Sequence, residues 1–477
     1  MPLLRWVVLA GLLAGLSALA GPPAPGAAAA LAQAGADLRA IRSYTAAVEA
    51  YERLARLAPA DPAPLLSIGD IYLAQHRWPL AADAFNRALA RRPDSAPAAA
   101  GLAAAYWGQG DAQRAAAWWE TALRDDPRLA EARLRLAVAE LQLERRPEAE
   151  ANLRAVLEPG SVPSPEVVAS AHLYLAMLLA PGDPDQARSE LAAISDAPPP
   201  ILADRDYLLT VLDRLGGTGS PAEAARLLGL AYVQLGQWSL ACQSLERALA
   251  FDGNDAEALA FLGHAEAQLG RPVPALGHLQ SAVTARPEWA TGHLLLGLYY
   301  RQQGAADRAA SELEAGLAGE SGNAQAWMDL AGVYVDLGRY ADAEEALSKA
   351  VEAAPDDLDF RLALVGFYAE HSFQVTERGL PAAESAARLA PDNPRLRDWL
   401  GWLYLLAGDA PKAWLHLMSA LQLDSGQAST FYHLGVLYKL SGEQEAARLA
   451  FRRAVDLDTE GRYRERAMLA LRGSAPP

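Results

Sequence analysis

The 477-residue sequence predicts an all-α solenoid, and three observations carry that prediction. First, apolar residues recur at the helical period. In AWMDLAGVYVDLGRYADAEEALSKAVEAAP, residues 326–355, Trp327, Leu330, Ala331 and Tyr334 share one helix face. Ala343, Leu347 and Ala350 share a face of a second helix. Gly338 between them can take the left-handed conformation that closes a helix, and Pro355 cannot continue one, so the stretch reads as a helical hairpin. Second, the pattern returns at one fixed interval, the step from Gly35 to Gly69, and stacked copies bury a face too large for one hairpin to hide. Third, no segment alternates with period two, so no strand is expected.

The elements follow in chain order. MPLLRWVVLAGLLAGLSALA has one charge at Arg5, an apolar run from Trp6 to Ala20, and Ala18-Leu19-Ala20 as a small-x-small site. The run is short for a membrane span, so residues 1–20 read as a secretory signal cut after Ala20. No cysteine stands at Gly21 to carry a lipid. The competing reading is an uncleaved N-terminal segment that holds the chain at the membrane, facing the same compartment. Residues 21–27 form a short linker before the first hairpin.

The repeats are then counted from the small residue at the middle of each first helix. Gly35, Gly69, Ala103 and Ala137 follow one another at a constant step of thirty-four positions, as do Gly229, Gly263, Gly297, Ala331 and Val365, and later Gly401 and Gly435. A tyrosine comes three positions later at Tyr72, Tyr106, Tyr232, Tyr300, Tyr334, Tyr368, Tyr404 and Tyr438. Glu140 and Glu266 replace it in two repeats, which predicts either poorer packing there or carboxylates aimed at a partner. An array over residues 28–195 is separated from a second, 221–461, by a surplus near residues 196–220. There Pro198, Pro199 and Pro200 precede an amphipathic stretch, Ile201 to Leu215, which reads as an extra helix and a possible hinge. The repeat marked by Val365 holds two surplus residues before Pro391. Residues 462–477 form a capping helix and tail, with Met468, Leu469 and Leu471 on one side and arginines on the other.

This repeating pattern, seen again in TFYHLGVLYKLSGEQEAARLAFRRAVDL, residues 430–457, resembles the tetratricopeptide repeat family. About twelve units cover nearly all of the chain from residue 28 to 461. The resemblance implies a right-handed α-solenoid of helix hairpins whose first helices line an inner face that takes up peptides or partner elements. Carried over by position, that face contains Asp70, Trp107 and Gln142 in the first array. In the second it contains His264, Gln268, Arg301, Gln302, Asp336, Trp402, Tyr432 and Lys439. Trp402 and Tyr432 beside Lys439 suit a peptide with an apolar side chain next to a carboxylate. The competing expectation is that both rings fill space between repeats.

Composition narrows the function. A formal charge of −16, or −17 once Arg5 is removed, argues against nucleic acid and anionic membrane as the main partner. The single Cys242 permits no disulfide within the chain and reads as a small buried residue. No His-Glu-x-x-His, Gly-x-Ser-x-Gly or paired cysteines occur, and GGTGS at residues 216–220 lacks the Gly-Lys-Ser/Thr of a phosphate loop. The eight histidines are scattered through the repeats. No cofactor, metal or enzymatic activity is therefore expected. The expected function is an exported, non-enzymatic scaffold that binds a protein or peptide. The alternative is an accessory protein of cell-surface polysaccharide synthesis or export, contacting glycan or a synthase.

Overall fold

A computed structural model describes residues 26–158, 163–217, 220–458 and 461–473. The proposed signal and its cleavage site lie outside the described residues. Among the described residues there are 26 α-helices, one π-helical turn and no strand, so the all-α solenoid prediction holds. In sequence order the helices form twelve pairs, with one left over in the middle and one at the end.

The chain divides into two compact units. The first combines both ends of the chain. Its N-terminal part is α1 (Ala27–Ala40), α2 (Tyr44–Leu57), α3 (Ala63–Ala74), α4 (Trp78–Arg91) and α5 (Ala96–Gly108). The second unit, Gly110–Ala354, holds α6 (Ala112–Asp125), α7 (Ala130–Gln142), α8 (Arg146–Leu157), α9 (Pro165–Leu179) and α10 (Pro184–Ala192). The unpaired α11 (Pro199–Leu215) follows, and then α12 (Pro221–Gln234), α13 (Trp238–Phe251), α14 (Ala256–Gln268) and α15 (Pro272–Ala285). It ends with α16 (Ala290–Gln302), α17 (Ala306–Gly319), α18 (Ala324–Asp336) and α19 (Tyr340–Ala353). The first unit resumes with α20 (Leu358–His371), α21 (Leu380–Leu389), α22 (Pro394–Leu406) and α23 (Ala410–Leu423). It closes with α24 (Ala428–Leu440), α25 (Gln444–Leu457) and α26 (Arg462–Leu471).

The constant period has a packing cause. Each central glycine of a first helix is the hole for a bulky residue sixteen positions later on its partner helix. A Cβ on Gly69 would stand 2.5 Å from the Phe85 ring, one on Gly229 2.5 Å from Leu245 and one on Gly435 2.6 Å from Phe451. Phe85 also lies against Gly101 of the next first helix and is 1% exposed, so one ring locks two repeats together.

The turn inside each hairpin repeats as well. Gly236, Gly270, Gly304 and Gly338 all have positive φ, with φ 70° at Gly338 as the sequence suggests. The same step leads to Ser372, at φ 50°. A side chain in that conformation costs about 1 kcal/mol or more, and Ser372 is exposed. Ser372→Gly is therefore expected to raise stability by about 1 kcal/mol in urea unfolding, with Ser372→Ala close to neutral. The surplus residues of that repeat are taken up just afterwards by the π-helical turn Val375–Gly379, where a wider coil absorbs extra backbone at the start of a second helix.

Neither substituted tyrosine position points outward. Glu140 is 4% exposed and accepts two bonds from Asn152 Nδ2 at 2.9 and 3.1 Å. Glu266, 5% exposed, meets His278 Nδ1 at 2.7 Å. Each carboxylate is matched by a polar residue twelve positions on, so these repeats keep their packing by an internal polar pair, and the expectation of carboxylates facing a partner is corrected.

Within the first unit the first and last hairpins meet. Asp456 of α25, nearly buried, accepts the Thr45 backbone N–H at 3.0 Å and the Ser43 hydroxyl at 3.3 Å. Its own carbonyl accepts from Gln75 Nε2 at 3.1 Å. Arg453 donates to the carbonyls of Ile41 and Arg42, both at 2.8 Å. Ends 411 residues apart in sequence are thereby fastened side chain to backbone.

Candidate functional site

The inner-face residues expected from sequence fall in both units. In the second unit the structure brings together five of the eight residues expected from the second array. His264 and Gln268 on α14, Arg301 and Gln302 on α16, and Asp336 at the end of α18 line one cleft of about 420 Å³. Its floor is apolar, made by Leu295, Leu298 and Tyr299. These first helices come from consecutive repeats, so equivalent positions recur along the cleft one repeat apart. Gln268 and Gln302 are such a pair, one full step of the array apart and both exposed.

Each polar group is set by its neighbours. His264 packs edge-on against Trp238, with ring centroids 5.6 Å apart, and burial pushes its imidazole below the usual value, so it stays neutral at pH 7. Tyr299 donates its hydroxyl to the Pro272 carbonyl at 2.9 Å, which turns its ring toward the cleft as wall and takes its polar end out of play. Arg301 crosses to the next first helix, where it meets Asp329 at 3.1 Å and lies over Gly332, whose missing Cβ leaves room for the guanidinium. Burial raises the Asp329 carboxyl above its ordinary value, against the pull of Gln325 and Arg301. Asp329 pairs with Arg301 and Asp336 adds a further carboxylate to the lining, so the cleft disfavours a strongly acidic ligand. It offers amide donors and acceptors over an apolar floor, the chemistry of an uncharged extended backbone with a modest apolar side chain.

The other three residues belong to the first unit and surround a different set of contacts. Trp402 on α22 stacks on His433 at 4.4 Å between centroids and donates its indole N–H to the Ala369 carbonyl at 3.1 Å. Tyr432 on α24 lies 6.4 Å from Trp402, 5.8 Å from Phe451 and 5.6 Å from Tyr463 of the terminal helix. Beneath them His433 Nδ1 meets Asp398 Oδ1 at 2.9 Å, both residues buried, while Asp398 Oδ2 has no hydrogen-bond partner. Lys439 is half-buried further along α24. Of the positions carried over to the first array, Asp70 pairs with Arg39 at 3.6 Å, Trp107 is half-buried and Gln142 is exposed.

Sequence reasoning missed Tyr299 as a wall of the cleft and Trp238 as the ring that supports His264. Trp238 lies nine positions after its repeat's central glycine, and Tyr44, Trp78 and Tyr340 hold the same place in theirs. That recurrence was a usable signal for an aromatic post at the start of the second helix. Cys242 is buried, and burial pushes its thiol up to about 12, in keeping with a packing residue. Among the described residues no cluster of histidine, cysteine and carboxylate side chains could hold a metal, and no helix is long and apolar enough to cross a membrane.

Three family models described as tetratricopeptide repeat match the chain, one at residues 33–96, 100–164 and 219–288, a second at 300–365 and a third at 428–460. Among solved structures, a tetratricopeptide repeat protein from Parabacteroides merdae aligns at 19% identity over 53% of this chain and 98% of its own, with a TM-score of 0.41. Yeast Tom70 aligns at 14% identity over 94% of this chain and 95% of its own, at 0.38. YrrB, described as a tetratricopeptide repeat protein with an unusual peptide-binding site, aligns at 22% identity over 40% of this chain and 97% of its own, at 0.31. A search of curated proteins gives no match.

Proposed function

Because the chain belongs to the tetratricopeptide repeat family, we propose that it is a non-enzymatic scaffold, working outside the cytoplasm, that seats an extended and nearly uncharged segment of a protein partner in the cleft of its second unit. The observation that carries this reading is the convergence of His264, Gln268, Arg301 and Asp336 on one cleft with an apolar floor. The amide side chains of Gln268 and Gln302 can pair with the backbone amide groups of an extended strand. The extracytoplasmic location rests on the apolar N-terminal segment from Trp6 to Ala20.

The test is capture by the full-length protein in its own cells, with a photo-crosslinking amino acid at Gln302. A protein adduct is expected. Arg301→Ala should weaken the captured partner's binding by about 2 kcal/mol, through loss of the polar wall, while helicity is unchanged. Retention of glycan in place of protein, or capture indifferent to Arg301→Ala and Gln268→Ala together, would overturn the proposal.

A further inference from the structure

The first unit carries an inner face that is already occupied, and its occupant is the chain's own C-terminal helix. Arg462, the first residue of α26, makes an ion pair with Glu370 near the end of α20. Glu370 stands five positions after its repeat's marker, Val365, the register of Gln268, Gln302 and Asp336 in the second unit, so it is an inner-face position. The next residue, Tyr463, sets its ring 5.6 Å from Tyr432 and 5.7 Å from His433, edge-on to the imidazole, and His433 in turn stacks on Trp402. The opening dipeptide of α26 thus reaches α20 with its cation and the α22–α24 aromatic cluster with its ring. A separate set of contacts attaches the helix to the last repeat. Asp458 accepts the backbone N–H groups of Tyr463 at 2.8 Å and Arg464 at 2.7 Å, and the buried Arg464 donates back to the carbonyls of Val455 and Asp458. The anchor uses backbone groups and the Arg464 side chain, the insertion the side chains of Arg462 and Tyr463, so one can be changed without the other.

We propose that Arg462 and Tyr463 act as an internal ligand of the first unit's inner face, and that the outside partner this face takes is a segment presenting an arginine directly beside a tyrosine, exchanged for the start of α26. The chemistry of the pocket specifies the pair. Glu370 supplies a carboxylate for a guanidinium, and Tyr432, His433 and Trp402 supply faces and edges for an aromatic ring. The chain's net charge of −16 draws a basic segment in. Asp398, whose Oδ1 meets His433, keeps an Oδ2 without a hydrogen-bond partner and so adds an acceptor that α26 leaves unused. The charge preference is the reverse of the carboxylate-bearing peptide expected from Lys439, because Glu370 and not Lys439 engages the occupant's charge.

Two experiments on the full-length chain test it. In hydrogen exchange, Glu370→Lys should accelerate the amides of α26 at least tenfold and leave those of α25 unchanged. Equal acceleration in both helices, or in neither, would make α26 a structural cap and sink the proposal. In the second, a fluorescent peptide of residues 461–472 is titrated into wild type and into Arg462→Ala/Tyr463→Ala, with circular dichroism confirming the fold of each. The double variant should bind at least tenfold more tightly than wild type, and a peptide with the tyrosine moved four places from the arginine should lose that gain. No gain, or the same gain with the rearranged peptide, would overturn the assignment.

Discussion

Phe85→Ala is expected to lower the unfolding free energy by about 3–5 kcal/mol, the range for removing a large buried ring that the surroundings cannot refill. Phe85 is 1% exposed and its ring touches two glycines, Gly69 on the preceding helix of its own hairpin and Gly101 on the next first helix. A glycine has no side chain with which to move into the void, so collapse would have to come from the backbones themselves. In a stack where each repeat contacts its neighbours, the loss falls on two interfaces at once. Urea unfolding followed by circular dichroism should show the midpoint falling, and Phe85→Leu should recover roughly half of the loss. A loss under about 1 kcal/mol would show that the two helix pairs close over the gap.

Trp402→Ala is expected to cost about 3 kcal/mol of stability, through the cavity and through exposure of the His433–Asp398 pair beneath it. Sequence position left two outcomes for this residue, an anchor for a ligand or a filler between repeats. The structure shows its indole bonded to the Ala369 carbonyl and its ring face on His433, so the chain itself supplies the packing role. Thermal melting and urea titration of Trp402→Ala and Trp402→Phe separate the parts: phenylalanine should restore most of the stacking and none of the hydrogen bond. Wild-type stability in the alanine variant would refute the packing role.

Much of the fold was legible because its period is set by hard contacts. A central glycine and the bulky residue sixteen positions on, or a glycine in the left-handed turn, leave marks that recur at each step of the array. The same register is why five residues chosen by position, His264, Gln268, Arg301, Gln302 and Asp336, line one cleft. What escaped was whatever breaks the period. The π-helical turn at Val375–Gly379 is visible in sequence only as surplus residues, with no sign of how the backbone absorbs them. The partners of Glu140 and Glu266 are Asn152 and His278, residues that carry no meaning until the helices are paired. The contact of Asp456 with Thr45, and the seating of Tyr463 on Tyr432, join segments that no periodicity relates.

The fastening of the first hairpin to the last changes how such a chain comes apart. In an open stack the terminal repeats have one neighbour each, so they fray first and unfolding travels inward. Here the polar stitches around Asp456 and Arg453 give both terminal hairpins a second neighbour. Contacts within the repeats are local and form early, whereas this junction closes a loop of 411 residues and waits until the chain between has ordered. The joint is therefore a late product of folding that protects its earliest-exposed ends, and the weakest link moves from the termini to the interior of the array.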